Sequence, residues 1–392
     1  MSDAVTVKGS GDNIQYKDRK RYFWLLSPVW VMVPAISIYM AYVTGLEWLV
    51  WSTVAIWYFV LPAMDWALGS DPNNPPPEAI EKLERERYYR YLTYVTVPLH
   101  YVALVVGAWA VANLGLSWLG YLGVALSVGI INGLAINTGH ELGHKKTDLE
   151  KTLSKICLAV VGYGHFHTEH NKGHHKDVAT PEDPASARFG ESIYRFALRE
   201  IPGAFRRAWN TEKTRLARKG KGPWTPDNDF LQPLLITVVL YAALVAYFGV
   251  VIVPYLLIAM AMGYWFLTSA NYIEHYGLLR QKEDSGRYER CKPHHSWNSN
   301  HIMSNLILFH LQRHSDHHAW PTRRYQSLRS FDDVPTLPSG YPGMYALALI
   351  PPLWRAVMDR RVLALYDGDV TKVNLDPAKR DRILRRHAGQ AA

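Results

Sequence analysis

Nine of the chain's 17 histidines fall in four tight groups: His140 and His144; His170, His174 and His175; His275; and His314, His317 and His318. On a helix, residues three or four apart share a face. The pairs His140/His144 and His170/His174 and the set His314/His317/His318 can therefore each aim two or more imidazoles at one point, and His175, pointing elsewhere, is left to serve a second metal. A first-row ion takes roughly four to six ligands, so nine imidazoles call for at least two ions if all of them bind. Spacing gives the cluster and not the element, because iron, zinc, copper and nickel all accept imidazole. Neutral ligands leave two divalent ions uncompensated. Glu141, Glu169, Asp177, Glu274 and Asp316, each close in sequence to a ligand, are expected to accept the outward imidazole N–H groups and orient the rings.

A single histidine is more often a hydrogen-bonding or surface residue than a ligand, and four groups at ligand spacing outweigh that simpler explanation. It stands for His100, His165, His167, His294, His295, His301, His310 and His387, with His165 and His167 nearest the line. His140-Glu141-Leu142-Gly143-His144 also fits H-E-x-x-H, the zinc-protease helix in which Glu is the general base. A protease needs one further ligand and a substrate groove, and would leave most of the other clustered histidines idle. A metal transporter would string its ionisable residues across the bilayer. Here they pool at one face, and only His100 and Asp65 stand out within the apolar segments.

The elements that must position these groups are membrane helices. Apolar residues collect in blocks near the length that crosses a bilayer, about 20 residues. Six spans follow: Tyr22 to Thr44, Leu46 to Leu68, Leu92 to Asn113, Leu116 to Thr138, Leu231 to Val250 and Val251 to His275. They form three hairpins whose turns, near Gly45, Gly115 and Val250, carry almost no charge, while Arg85, Arg87, Lys145, Lys146, Arg218 and Lys221 crowd the opposite ends. The positive-inside rule then puts both termini and the polar segments in the cytoplasm. The expected fold is an all-α integral membrane protein, one catalytic domain over 1–392, with a histidine-rich helical cap formed by 139–230 and 276–392.

Trp24, Trp30, Trp48, Trp51, Trp66 and Trp118 lie toward span ends, where amphipathic indoles mark the headgroup level. Ile193, Ala197, Ile201, Phe205 and Trp209 recur at helical spacing with arginines off the stripe, which predicts a helix on the inner leaflet. The run Ala346 to Leu353 is too short to cross and is broken by Pro351 and Pro352, so it packs on the cap or the interface. Two cysteines, Cys157 and Cys291, supply neither a disulfide framework nor an iron–sulfur site, and no glycine fingerprint for a flavin or nicotinamide is present. A redox role would need a separate electron donor. The net charge of +9 suits an acidic one, although positive-inside topology explains the charge without a partner, and no nucleic-acid partner is expected.

The boxes HELGHK (His140 to Lys145), EHNKGHH (Glu169 to His175), NYIEHYGL (Asn271 to Leu278) and LQRHSDHH (Leu311 to His318) closely resemble those of bacterial membrane alkane 1-monooxygenases. The resemblance spans most of the chain. The wider superfamily of membrane fatty-acid desaturases, hydroxylases and xylene monooxygenases shares a general HxxxH, HxxHH, HxxHH pattern. The second box here reads HxxxHH, which with NYIEHYGL is similar to the alkane hydroxylase branch. That resemblance implies two non-haem iron ions on the nine grouped histidines, O2 as co-substrate and hydroxylation of the terminal methyl of medium-chain n-alkanes to 1-alkanols. It further implies electrons from rubredoxin, separate or fused and itself reduced by a rubredoxin reductase, and a six-span fold in the bacterial inner membrane. Terminal selectivity then calls for a narrow apolar channel. Trp57 is a candidate gate along it, set against packing between helices or facing lipid.

Overall fold

The computed structural model describes residues 5–8 and 13–387. Its regular elements are helical except for a short antiparallel hairpin, β1 (Val5–Lys8) against β2 (Asn13–Tyr16). The all-α expectation holds for the rest of the described chain. Val5, Thr6, Val7 and Ile14 are β-branched, and Gly9 and Gly11 stand between the two runs, a local β preference that no helical periodicity opposes.

The first expected span is broken into α1 (Phe23–Val31) and α2 (Val33–Thr44), bent by 58°. Pro34 lacks the N–H that would bond back to the carbonyl of Trp30, so the helix breaks at Met32. Five further helices are long and apolar enough to cross a membrane: α3 (Glu47–Leu68), α4 (Arg87–Asn113), α5 (Trp118–Gly143) and, after the first cap segment, Leu231–Phe248 and Val250–His275. Between these sets lie α6 (166–177) and α7 (Ile193–Ala217). The last two spans are accordingly α8 (Leu231–Phe248) and α9 (Val250–His275). The second cap segment adds α10 (His314–Ala319), α11 (Tyr341–Ala348), α12 (Pro351–Ala364) and α13 (Arg380–His387). Pro351 and Pro352 open α12, so the run Ala346 to Leu353 is divided between two helices, as its prolines predict.

α5 is buried over most of its length, whereas α3 and α8 present much of their surface outward, so α5 is the central post. It packs on α9 through glycines. A Cβ on Gly133 would lie 2.4 Å from Phe266 Cβ, and one on Gly129 2.5 Å from Met262 Cβ. Gly133→Ala is therefore expected to destabilise the protein by about 1–3 kcal/mol through overpacking. Thermal unfolding of the detergent-purified variant measures it, and an unchanged midpoint would show that the seam can yield.

α7 buries a neighbouring stripe to the one read from sequence: Phe196, Glu200, Ala204, Ala208 and Glu212 face inward, while Tyr194, Leu198 and Phe205 are exposed. Two carboxylates are tolerated inside because facing elements, and for Glu212 also α7 itself, supply donors. Glu200 accepts from Thr268 Oγ1 (2.8 Å) and Asn271 Nδ2 (3.2 Å), and Glu212 pairs with Lys172 and Arg215. The exposed apolar face remains where an interfacial helix needs it. Among the tryptophans, Trp48, Trp66 and Trp118 are exposed near helix ends as interface markers should be. Trp24 and Trp30 are instead packed inside.

Candidate metal centre

Four elements bring the histidines together. His140 lies in the last turn of α5 and His144 caps it, His275 ends α9, α6 carries His170, His174 and His175, and α10 carries His314, His317 and His318. All nine converge, in two groups: His140, His144, His170, His175 and His317 in one, and His174, His275, His314 and His318 in the other. Within each group the candidate donor atoms lie within 4.8 Å of one another.

The partition differs from simple helical spacing. Residues His170–His174 form a π-helical turn inside α6, and such a turn makes positions five apart, rather than four, share a face. His170 therefore meets His175, with Nε2 atoms 3.1 Å apart, and His174 turns to the other group. On α10, His314 and His318 share one group (Nε2 to Nε2, 3.0 Å) while His317 joins His140 (2.9 Å) and His175 (3.3 Å) in the other. His275 and His314 close to 3.2 Å.

These contacts fit a pair of bound ions. Two nitrogens held by one ion at about 2.1 Å, at tetrahedral or octahedral angles, stand about 3.0–3.4 Å apart. The inward nitrogens otherwise have little to satisfy them: His144 Nε2 and His174 Nε2 are buried with no protein partner, and the others named above face one another. Burial and the neighbouring imidazoles hold His144, His170, His175, His314, His317 and His318 well below the ordinary histidine range, so they stand as neutral donors.

The outer nitrogens show which groups hold the rings. His174 Nδ1 is 2.9 Å from Asp183 Oδ2, and Asp183 also accepts from Ser186 Oγ and Arg207. Burial would raise the Asp183 carboxyl, but His174 and Arg207 outweigh it and hold it well below the usual carboxylate range. Burial would likewise lower His174, and Asp183 lifts it above its ordinary value. His275 Nδ1 meets the carbonyl of His295 at 3.2 Å. Sequence reasoning missed both partners. Asp183 sits in the irregular stretch Thr180-Pro181-Glu182-Asp183-Pro184, where no periodicity marks it, and a backbone carbonyl leaves no signature.

The carboxylates expected to hold imidazoles mostly face cations. Glu141 pairs with Lys145 at 2.9 Å, Glu169 with Arg207, Asp177 with Arg207 (3.6 Å) and Lys176 (3.7 Å), and Asp316 with Arg323 (2.6 Å). A full positive charge is a stronger donor to a carboxylate than a neutral imidazole N–H. Glu274 alone of the five approaches a ring. Its Oε2 is 3.4 Å from His314 Nε2, the inward nitrogen, and its Oε1 accepts from the Tyr341 hydroxyl at 2.8 Å. Arg207, which clamps Glu169 and Asp183 together, ties α7 to the centre.

The remaining histidines stay outside both groups. His310 binds the Tyr325 carbonyl and Lys20, His100 lies 3.4 Å from Thr138 Oγ1, and His167 3.3 Å from Ser154 Oγ. Glu289, His294 and His295 form a smaller third cluster. There His295 Nδ1 accepts the Lys292 N–H, so the proton of the neutral ring sits on Nε2, the nitrogen a metal would need.

A cavity opens on the centre from the membrane side, lined by Trp57, Gly133, Phe266 and Tyr345 and, at its inner end, by His140, His170, Glu274 and His314. A fatty acid desaturase family model matches residues 116–347, the stretch that carries all nine histidines. An alkane 1-monooxygenase of Pseudomonas putida is 58% identical over 95% of this chain and 92% of its own length. The chain belongs to the alkane 1-monooxygenase family. The alkane 1-monooxygenase 1 of Alcanivorax borkumensis is 57% identical over 95% of this chain and 93% of its own. More distantly, the hydroxylase component of a Pseudomonas putida xylene/toluene monooxygenase is 28% identical over 62% of the chain and 65% of that protein. Membership of the alkane 1-monooxygenase family makes the chain a multi-pass membrane oxidoreductase.

Proposed function

We propose that the chain hydroxylates the terminal methyl of medium-chain n-alkanes, with O2 as oxidant and rubredoxin as electron donor, on two iron ions held by the nine grouped histidines. The observation that carries this is the juxtaposition of two buried imidazole groups with an apolar cavity that ends on them. A methyl C–H bond offers nothing for an acid or base to grip. Bound iron supplies the redox chemistry that activates dioxygen, and the protein supplies position and exclusion. His140, His144, His170, His175 and His317 hold one ion, and His174, His275, His314 and His318 the other. The chain lies in the bacterial inner membrane with six spans, the bent α1–α2 pair counting as one, and with its termini and cap in the cytoplasm.

Trp57 is buried against Phe266 (ring centroids 4.8 Å) and Tyr345 (5.7 Å), all three lining the cavity, so it faces the channel rather than lipid. The free volume is about 40 Å³, against roughly 10–15 Å³ for a single water on the same scale. That admits the end of a chain and not its whole length. Trp57→Ala is expected to lengthen the space above the centre and shift the preferred substrate upward by several carbons, read from product profiles over an alkane series. An unmoved profile would remove Trp57 as the gate.

The reaction itself is tested with purified, iron-loaded protein, rubredoxin, its reductase, NADH and O2, which should convert octane to 1-octanol. Peptide cleavage with zinc and no oxygen uptake would overturn the monooxygenase assignment, and an alkene product would move the chain to the desaturases.

A further inference from the structure

Away from the metal centre, a cavity of about 160 Å³ lies between α12 and α13, beside the loop at Phe189 and Gly190. Its charged lining is Arg355, Lys379, Arg382 and Arg386 against a single carboxylate, Asp359. That carboxylate is engaged, since Asp359 Oδ1 accepts the Tyr276 hydroxyl at 2.8 Å. Among the described residues no carboxylate lies within 4.0 Å of the guanidinium of Arg355, Arg382 or Arg386. The neighbouring helix α7 behaves differently: Arg195, Arg199 and Arg207 each hold an acidic partner, at Asp376, Glu191 and Asp183 among others. Lys379 has Asp376 at 3.9 Å and the lining adds one carboxylate, Asp359, so cations outnumber acids around the hollow and the arginines repel one another. An anion in the hollow would relieve that cost.

The surroundings indicate where the anion comes from. Tyr276 follows directly on His275, the last residue of α9, so the cavity floor sits at the level where the final span ends. Ile350 and Leu353, at the start of α12, are half exposed, and α7 begins three residues beyond Gly190 and soon presents Tyr194 and Leu198, the latter 81% exposed. Tyr194 donates to the Leu349 carbonyl at 2.8 Å, which joins these apolar residues into one outward surface. Exposed apolar side chains beside a basic hollow at a span end are the arrangement that receives a lipid with its phosphate in the hollow and its chains in the bilayer.

We propose that the cavity formed by Arg355, Lys379, Arg382 and Arg386 binds the phosphate headgroup of an anionic phospholipid. The site is independent of the metal centre and of the reaction proposed for it. An acidic protein docking on the same cations would need no adjoining apolar surface.

The test uses the full-length protein reconstituted in nanodiscs of mixed phosphatidylglycerol and phosphatidylcholine, then released into detergent and weighed by native mass spectrometry. Wild type should retain phosphatidylglycerol in preference to phosphatidylcholine. Arg382→Gln and Arg386→Gln, both at exposed positions on α13, should each lower that retention about fivefold, and Arg382→Lys should largely restore it. Millimolar inorganic phosphate should displace little of the lipid. Equal retention by wild type and the glutamine variants would overturn the proposal. So would complete displacement by inorganic phosphate, which would make the ligand a free anion. Unchanged lipid retention together with lost binding of rubredoxin would assign the cations to a protein partner instead. Should either glutamine variant fail to fold, the other carries the same comparison.

Discussion

Replacing His174 with alanine should leave a protein that holds about one iron per chain, whereas the same change at His175 should leave close to two, although both lose alkane hydroxylation. The two residues are neighbours in sequence and, by the π-helical turn at His170–His174, serve different groups. His174→Ala takes one donor from four and leaves three, too few for an ion that takes roughly four to six ligands. His175→Ala takes one from five and leaves four. Changes to partners outside the ligands already cost about 10–100-fold in metal affinity or activity, so loss of a ligand should cost about 100-fold or more in turnover in either variant. Iron per chain by plasma emission, set beside 1-octanol formation, separates the variants. Equal iron in both would contradict the partition, and full activity in either would remove that histidine from the centre.

Asp183→Asn should weaken iron binding in the four-histidine group by about 10–100-fold while sparing the five-histidine group. The carboxylate accepts a hydrogen bond from Nδ1–H of His174 and so leaves Nε2 free and aimed inward. An amide can still accept that hydrogen bond, but it loses the charge that makes the ring a better donor and gives Arg207 a weaker partner. Glu169 continues to hold Arg207, so α7 stays docked. Chelator competition monitored by Mössbauer spectroscopy of iron-57-loaded protein should show one component lost before the other. Loss of both in parallel would mean that Asp183 supports the fold of the cap rather than one ion.

The legible parts of the chain were those written in a period or a spacing. Apolar blocks located α3, α4, α5, α8 and α9 to within a few residues, and the histidine boxes named the nine residues that converge. Composition could not reveal that α1 and α2 are bent at Met32, because a membrane helix can carry an interior proline without breaking, as α4 does at Pro98. Nor could it divide His170, His174 and His175, since a π-turn moves one residue to another face without altering any spacing in the sequence. Closeness along the chain points Glu141, Glu169, Asp177 and Asp316 at the ligands, whereas in the fold Glu169 and Asp177 meet Arg207 of α7, and Glu141 and Asp316 meet Lys145 and Arg323 further along the chain. Asp183 and the His295 carbonyl come to the centre from segments without periodicity. Long-range choice among donors is decided by charge and geometry together, and neither is visible one residue at a time.

The glycine seam between α5 and α9 bears on how the enzyme meets membranes of different thickness. Helices answer a thinner or thicker bilayer by tilting, and tilting two helices independently would pull apart the histidines at their ends. With Gly129 and Gly133 seated against Met262 and Phe266, the pair leans as a single body. His140 and His275 should then keep their separation as the lipid around them changes. Spacing at the centre is thereby expected to vary little with bilayer composition, a useful property for a catalyst whose substrates are themselves oils that dissolve in the membrane.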